Sequence, residues 1–537
     1  RTMIDRRALL GFLASCAWWG EARQDAEGVS RDQAPPNEDW VTEVEWLSSS
    51  SFRVVCGPRG VGGQHERPRE HQVEVNVRGQ GDWLEYTTRY LRVVVDKRTG
   101  ALRVHDRGGN LLLADVRGPQ RRGERVVWER ERQASERFWG LGPNAELDGR
   151  EGTSGPVVTS VPFLVSSMGY GEYFRPPGLY RYAFGERRTI EAPAGATNEF
   201  YFYYGPTPKE ILEEHATIES PSDGIQSGIF QLTERPPRAA WTLPNPQPDW
   251  QGLTDLIRWL LRSSYSAILF PAVDLSIWRS AETEVRRRVY QLAVYLPIVY
   301  GALPENDREG AELGRERARW IPFLLSYAHE AHERGFPLLR PLGMQYPRDP
   351  QAVASRDAFM MGDEILVSPV VGLSRVRSVY LPAGRWTELG TNVRFRGRQV
   401  VQAPVSADRI PVFVKNGSIV PLAEMPDARR VTVHYFPDLA GEFFYYEDDG
   451  ALTQLHAAPA GELLRLEVEP AKERVWEWVV HHVKRPSRVR AGGGEMPPVE
   501  AQEDLRPNHW WYDERRGNLH ALISPPAGSD HVLYVAF

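Results

Sequence analysis

Between residues 40 and 204 apolar and polar positions alternate in short runs broken by turn residues, which predicts strands rather than helices. Leu91-Arg92-Val93-Val94-Val95 leads through Asp96-Lys97-Arg98-Thr99-Gly100 to Ala101-Leu102-Arg103-Val104-His105. Asp106-Arg107-Gly108-Gly109-Asn110 then leads to Leu111-Leu112-Leu113. Three alternating runs joined by turn-rich links predict a β-meander. Strands with no helical pattern between them predict an N-terminal β-sandwich. At Pro206-Thr207-Pro208-Lys209-Glu210 the period lengthens from 2 toward 3.6, and a helix opens with Pro in its first turn. Helical patterns follow at 253–262, 281–296 and 315–334, with a strand candidate at 267–270, so α/β units are expected here. After Pro337 short apolar runs return, at 364–371, 379–381, 410–414, 443–446 and onward to Val535, predicting one or two C-terminal β-sandwiches.

The 537 residues predict several domains, and 41% hydrophobic with 25% charged residues excludes wholesale disorder. A net charge of −6 supplies no basic footprint, so nucleic acid is not an expected partner. Only five of the 65 basic residues are Lys, a preference that GC-rich coding accounts for. Met3 reads as the start: Asp5-Arg6-Arg7 and the short apolar run 8–14 have the form of a secretory signal too short to span a bilayer. Leu13-Ala14-Ser15-Cys16 resembles a bacterial lipobox. The expectation is an exported protein of the bacterial periplasm or cell surface, lipid-anchored to the membrane at Cys16; export with cleavage elsewhere is the alternative. With Cys16 lipidated, Cys56 lacks a partner and no intrachain disulfide is expected. Residues 24–39 read as a polar tether.

Several strings in one order carry a family resemblance. They are Ser326-Tyr327-Ala328-His329-Glu330-Ala331-His332, Pro337-Leu338-Leu339-Arg340-Pro341-Leu342, Phe359-Met360-Met361-Gly362-Asp363-Glu364-Ile365-Leu366-Val367-Ser368-Pro369 and Arg409-Ile410-Pro411-Val412-Phe413-Val414-Lys415-Asn416-Gly417-Ser418. Phe138-Trp139-Gly140-Leu141-Gly142, Val161-Pro162-Phe163-Leu164 and Tyr446-Glu447-Asp448-Asp449-Gly450 fit as well. Together they resemble glycoside hydrolase family 31, the α-glucosidase and α-xylosidase family, over most of residues 90–450. The strings build strands and turns, so they mark lineage without demonstrating catalysis. The resemblance implies a (β/α)8 barrel between β-sandwiches, α-linked glucosides or another carbohydrate as partner, and no cofactor or metal.

It also implies retaining hydrolysis by two carboxyl groups about 5–5.5 Å apart. The nucleophile's Trp/Leu-x-Asp-x-Asn-Glu-like string is missing from this chain. A full barrel takes about 250 residues, whereas about 140 lie between the two β regions, so an incomplete barrel without its front half is expected. Asp249-Trp250-Gln251-Gly252-Leu253 resembles the family's Ser-Trp-Glu-x-Leu helix start, which puts Asn245 at the general-acid position. Asn cannot donate the proton. Asp249 reads as a helix N-cap. Ala272-Val273-Asp274-Leu275 resembles a Gly-x-Asp-Ile string whose Asp hydrogen-bonds sugar hydroxyls; Asp274 is therefore either a substrate-binding residue or a cap. Tyr300 and Ala302 stand where the family has an Arg and a His of the sugar pocket. His329-Glu330-x-His332 lacks zinc-motif spacing and reads as structural helix. Glu447-Asp448-Asp449-Gly450 reads as an acidic turn.

The expected architecture is multidomain: leader and tether 1–39, N-terminal sandwich 40–215, partial (β/α) barrel 216–355, proximal C-terminal sandwich 356–455 and distal β domain 456–537. Its open layer is expected to carry Asp274 at a strand's C-terminal end, with 224–233 as a candidate to cover an edge. Three functions fit: an exported α-glucosidase-like homologue with impaired catalysis and retained carbohydrate binding, an active retaining α-glycosidase with displaced carboxylates, or a non-enzymatic cell-surface assembly subunit.

Overall fold

The computed structural model describes residues 40–58, 73–219, 230, 232–238, 240–301, 307–423 and 429–537. The leader with Cys16, the tether, Ala302 and most of 224–233 lie outside the described residues.

The N-terminal part is two antiparallel sheets face to face. One has nine strands and includes the 91–113 meander as Leu91–Asp96, Leu102–Asp106 and Leu111–Arg122. The other has six, ordered Trp40–Trp46, Ser51–Pro58, Asn198–Tyr204, Tyr170–Arg175, Phe163–Ser166 and Phe138–Gly140. Trp128 of the first sheet meets Phe174 of the second edge-on, with ring centroids 5.2 Å apart. Alternation survives in the nine-stranded sheet, where Leu91, Val93 and Val95 face the core. It fails in Asn198–Tyr204, whose first six residues are all buried. The reason is a second covered face: Tyr201 and Tyr203 pack on Ile211 and Leu212 of the helix Pro208–Ala216. That helix starts where the sequence puts it, with Pro208 in its first turn and Thr207 and Glu210 forming a capping box.

Next come three parallel strands, Trp241–Thr242, Pro271–Asp274 and Ile298–Tyr300, adjacent in that order. Helices Trp250–Tyr265, Thr283–Ala293 and Arg308–Arg334 alternate with them. The strand expected at 267–270 is displaced. Ala267 turns the chain at φ 57° just after the helix, and the strand starts at Pro271, where a missing N–H is tolerated. Thr233 forms a parallel bridge to Tyr300 and accepts the Gly301 N–H at 2.8 Å, so the end of the edge-covering candidate does lie beside the third strand.

Arg317, on the long helix Arg308–Arg334 and 1% exposed, ties this layer together. Its Nε donates to the carbonyl of Phe230 (2.6 Å), Nη1 to Ala293 (2.7 Å), Val294 (3.3 Å) and Leu296 (2.8 Å), and Nη2 to Pro297 (2.8 Å). Burial lowers its guanidinium to about 9, so it stays charged at neutral pH. The acceptors include the carbonyl end of the helix Thr283–Ala293, where the helix dipole favours a cation.

The C-terminal third divides earlier than the sequence suggests. The proximal six-stranded sheet runs from Leu339–Pro341 to Val412–Lys415, and the distal pair of sheets begins at Ile419–Leu422. The expected division at 455/456 falls inside the strand Leu452–Ala460 and is corrected to the link between Lys415 and Ile419. Hydrophobic runs alone do not show which strands pair. Phe323 of the long helix stacks on Phe443 of the distal region, with centroids 5.5 Å apart, so helix and distal sheets share one core.

A polar junction lies where the first helix, the long helix and the proximal sheet meet. Arg340, fully buried, pairs with both Glu330 and Asp363, and Lys209 reaches Asp363 at 2.9 Å. Burial raises Asp363, but Arg340 and Lys209 outweigh it and hold that carboxyl below its ordinary range. Glu364 beside it is pushed up to about 8, first by burial and then by the charge of Asp363, and accepts a hydrogen bond from the Tyr327 hydroxyl at 2.5 Å.

Two predictions follow from these contacts. Arg317→Lys keeps the charge but cannot span five acceptors. With about 1–3 kcal/mol for each buried group left unsatisfied, urea unfolding should show a loss of about 2–4 kcal/mol, and a loss under about 0.5 kcal/mol would mean the carbonyls find other donors. Folded Glu364 holds its proton up to about pH 8, whereas the unfolded chain releases it near the ordinary 4.5. Between those values the native state binds the extra proton, so rising pH works against folding. The stability difference between wild type and Glu364→Gln should therefore shift against wild type by a few kcal/mol from pH 4.5 to 8. A pH-independent difference in thermal unfolding would show that Glu364 ionises normally.

Candidate functional site

The three parallel strands end in Thr242, Asp274 and Tyr300, and the loops beyond them lead into the helices. Sites in α/β layers form at this carboxyl edge. Asp274 is half-buried, and its Oδ1 accepts the Ser276 N–H at 2.8 Å, pinning the turn into the short helix Ser276–Ser280. Tyr300 pairs with it on the neighbouring strand. Its phenol is raised by burial and by the Asp274 carboxylate, while the Thr242 hydroxyl acts in the opposite direction. Gly301 follows at φ 114°, and a Cβ there would stand 2.6 Å from Asp274 Oδ1. Only glycine lets the chain turn so close to that carboxylate.

Asn245 is exposed in the loop between Thr242 and the helix Trp250–Tyr265, on the same edge of the sheet. Asp249, further along that loop, is committed to the helix: its Oδ1 accepts the Gly252 N–H at 2.8 Å. The edge thus brings Asp274 and Tyr300 together and carries one carboxylate among its strand-terminal residues. Sequence reading marked Asp274 and Asn245 but missed Thr242 and the role of Gly301. The available signal was the glycine directly after the Ile-Val-Tyr run.

His329 stacks on Tyr446 with centroids 4.4 Å apart, and Glu330 is spent on Arg340. Among the described residues no group of three or more His, Cys, Asp or Glu could hold a metal ion. In the acidic turn, Glu447 pairs with Arg474 and Asp449 with Lys472. Cys56 is buried, and burial pushes its thiol up to about 12, which makes it unreactive.

Two large concavities lie away from the strand ends. One of about 1350 Å³ runs between the helix Thr283–Ala293, the long helix and the C-terminal sheets. On its wall His434 and His481 share a hydrogen bond of 3.0 Å, and burial holds both imidazoles below their ordinary range. The other, of about 710 Å³, is a dish on the proximal sheet. Neither is lined by Asp274 or Asn245.

Residues 335–420 match the Glycosyl hydrolase family 31 C-terminal domain. Over 211 residues the chain is 32% identical to alpha-glucosidase 2 of Bacillus thermoamyloliquefaciens, covering 34% of this chain and 26% of that protein. Over 333 residues it is 28% identical to neutral alpha-glucosidase C of Mus musculus, covering 56% of this chain and 36% of that one. The matched stretch therefore spans about a quarter to a third of those relatives. Among solved structures, the Flavobacterium johnsoniae GH31 dextranase complexed with glucose superposes with a TM-score of 0.76 at 16% identity, over 93% of this chain and 97% of the other. The cycloalternan-forming enzyme from Listeria monocytogenes, in complex with a pentasaccharide substrate, gives 0.77 at 12% identity, over 93% and 76%. These likenesses concern the fold.

The hydrogen bond from the Ser276 N–H to Asp274 yields a prediction. Asp274→Ala should cost about 1 kcal/mol, as loss of one intramolecular hydrogen bond does. Asp274→Asn keeps the acceptor oxygen and should cost a fraction of that by urea unfolding. Equal losses in the two variants would show that the charge rather than the hydrogen bond holds the turn.

Proposed function

The chain belongs to glycoside hydrolase family 31, and on that premise we propose that it is an α-glucosidase-like homologue that binds α-linked glucosides without hydrolysing them at an enzyme-like rate. The observation that carries this reading is the composition of the strand ends, Thr242, Asp274 and Tyr300. A retaining mechanism needs two carboxyl groups flanking one bond. Asp274 is the one carboxylate among these terminal residues, the amide of Asn245 stands where the general acid would be, and Asp249 is occupied as a helix cap. In this reading the three-stranded parallel layer is the rear part of a (β/α)8 barrel, supported by the strand and helix alternation from 241 to 334. Asp274, with its Oδ1 held by the Ser276 N–H, is the residue that would meet a sugar hydroxyl.

The dextranase neighbour was solved with glucose and, as a variant, with isomaltotriose, which makes these the first ligands to try. The purified chain should turn over an aryl α-glucoside well below about 1 per second, the low end of ordinary enzyme turnover. It should bind isomaltotriose in calorimetry, and Asp274→Asn should weaken that binding at least tenfold. Turnover at about 1 per second or faster, abolished by a single Asp or Glu substitution, would overturn the loss of hydrolysis. Absence of any isomaltotriose binding would overturn the retained recognition.

A further inference from the structure

We propose that the dish on the proximal C-terminal sheet binds a small ligand carrying two or more sulfate or phosphate groups, through Arg385, Arg394, Arg396 and Arg398. The strand Arg385–Glu388 pairs with Arg394–Arg396 at the edge of the sheet, and the register sets Arg385 directly opposite Arg396. Like charges in directly opposed positions destabilise a sheet. On Arg394–Arg396 only Phe395 turns inward, packing edge-on against Phe413 with centroids 5.9 Å apart, so Arg394 and Arg396 both face solvent. Arg398 follows in the turn at φ 58°.

Among the described residues one acid stands against these four guanidiniums. Asp438 pairs with Arg385 at 3.0 Å. Arg394, Arg396 and Arg398 have no acidic partner among the described residues. Arginines without an acidic partner also occur elsewhere in the chain, so what marks these is their convergence with Arg385 on a single concavity.

The backbone beneath them is built rather than loose. Gly397 donates to the Gly384 carbonyl at 2.7 Å and Arg398 to Leu381 at 2.7 Å. A Cβ at residue 397 would stand 1.9 Å from the Pro382 carbonyl oxygen, so this close approach requires glycine. The arginine-bearing turn is thereby held against the facing strand.

Guanidinium forks match the oxygens of sulfate and phosphate two at a time, and four of them around one concavity favour a ligand that carries several such groups. A volume of about 710 Å³ suits an oligosaccharide fragment or a compact polyphosphate. Its concavity favours an inserted ligand over a flat bilayer surface. The site is independent of the strand ends at Asp274, so its failure and that of neutral glucoside binding are separable.

The test is calorimetry of the full chain with a sulfated heparin tetrasaccharide, the same tetrasaccharide desulfated, and inorganic pyrophosphate, at low and at physiological salt. Saturable binding of the sulfated sugar or of pyrophosphate is expected, weakening with salt, and the arm that binds more tightly identifies whether the anion is borne by a sugar. Arg396→Gln/Arg398→Gln should weaken it at least tenfold. Arg308→Gln, which alters an exposed arginine on the long helix, should leave it unchanged. Without ligand, Arg396→Gln should raise the thermal midpoint, because it removes one of two opposed like charges. Equal affinity for the desulfated sugar, less than a twofold effect of the double variant, or a lowered midpoint in Arg396→Gln would overturn the proposal. So would binding only to vesicles of phosphatidylglycerol and phosphatidylcholine with neither soluble probe bound, an outcome that would assign the patch to a membrane surface.

Discussion

A buried arginine with carbonyl partners and no carboxylate among the described residues is the constraint on which the middle of this protein depends. Arg317 gathers the C-terminal end of one helix, the segment leading into the third parallel strand, and the main chain at Phe230 around a single planar cation. A parallel strand pair has no tight turn to fix it and relies on its crossover helices for position. Here one side chain of the following helix holds the preceding helix and the strand entry at once. The long helix then passes its apolar side to the distal sheets through Phe323 and Phe443, so the same element positions the α/β layer and the C-terminal region.

The carboxyl edge inherits its chemistry from that arrangement. Register alone places Asp274 beside Tyr300, and the glycine after Tyr300 brings the next turn up to the carboxylate. Among the described strand-terminal residues this puts one carboxylate, partly used by the backbone, next to a phenol that burial keeps protonated. Such a set can accept and donate hydrogen bonds to hydroxyl groups.

Ionic groups are used as joints throughout. In the N-terminal sandwich Arg130 and Arg188, both buried, meet Glu172 between the two sheets, at 2.8 and 2.5 Å. At the junction with the proximal sheet Arg340 does the same for Glu330 and Asp363. Removing one member of such a group strands its partner without compensation, so each joint constrains which sheets and helices can be neighbours.

Local pattern determined much of this protein. The meander at 91–113, the capped helix opening at Pro208, the three later helices and the return to strands after Pro337 were all readable, because period and capping chemistry act over a few residues. The lineage was readable from strings such as Phe359-Met360-Met361-Gly362-Asp363-Glu364, whose turn and strand residues recur together. Asp274 and Asn245 could be marked, and Asp249 could be recognised as a cap. What only tertiary structure decided depends on contacts between residues far apart in sequence. Complete burial of Asn198–Tyr204 required the helix on its second face, and the division at Lys415 rather than at 455 required knowing which strands pair. The raised Glu364 required the charge of Asp363 in a space closed by Tyr327, and the opposition of Arg385 and Arg396 required a register. Hydrophobic periodicity says which face of a strand is covered, but pairing, burial of charge and the convergence of side chains are set by the neighbours that the fold supplies.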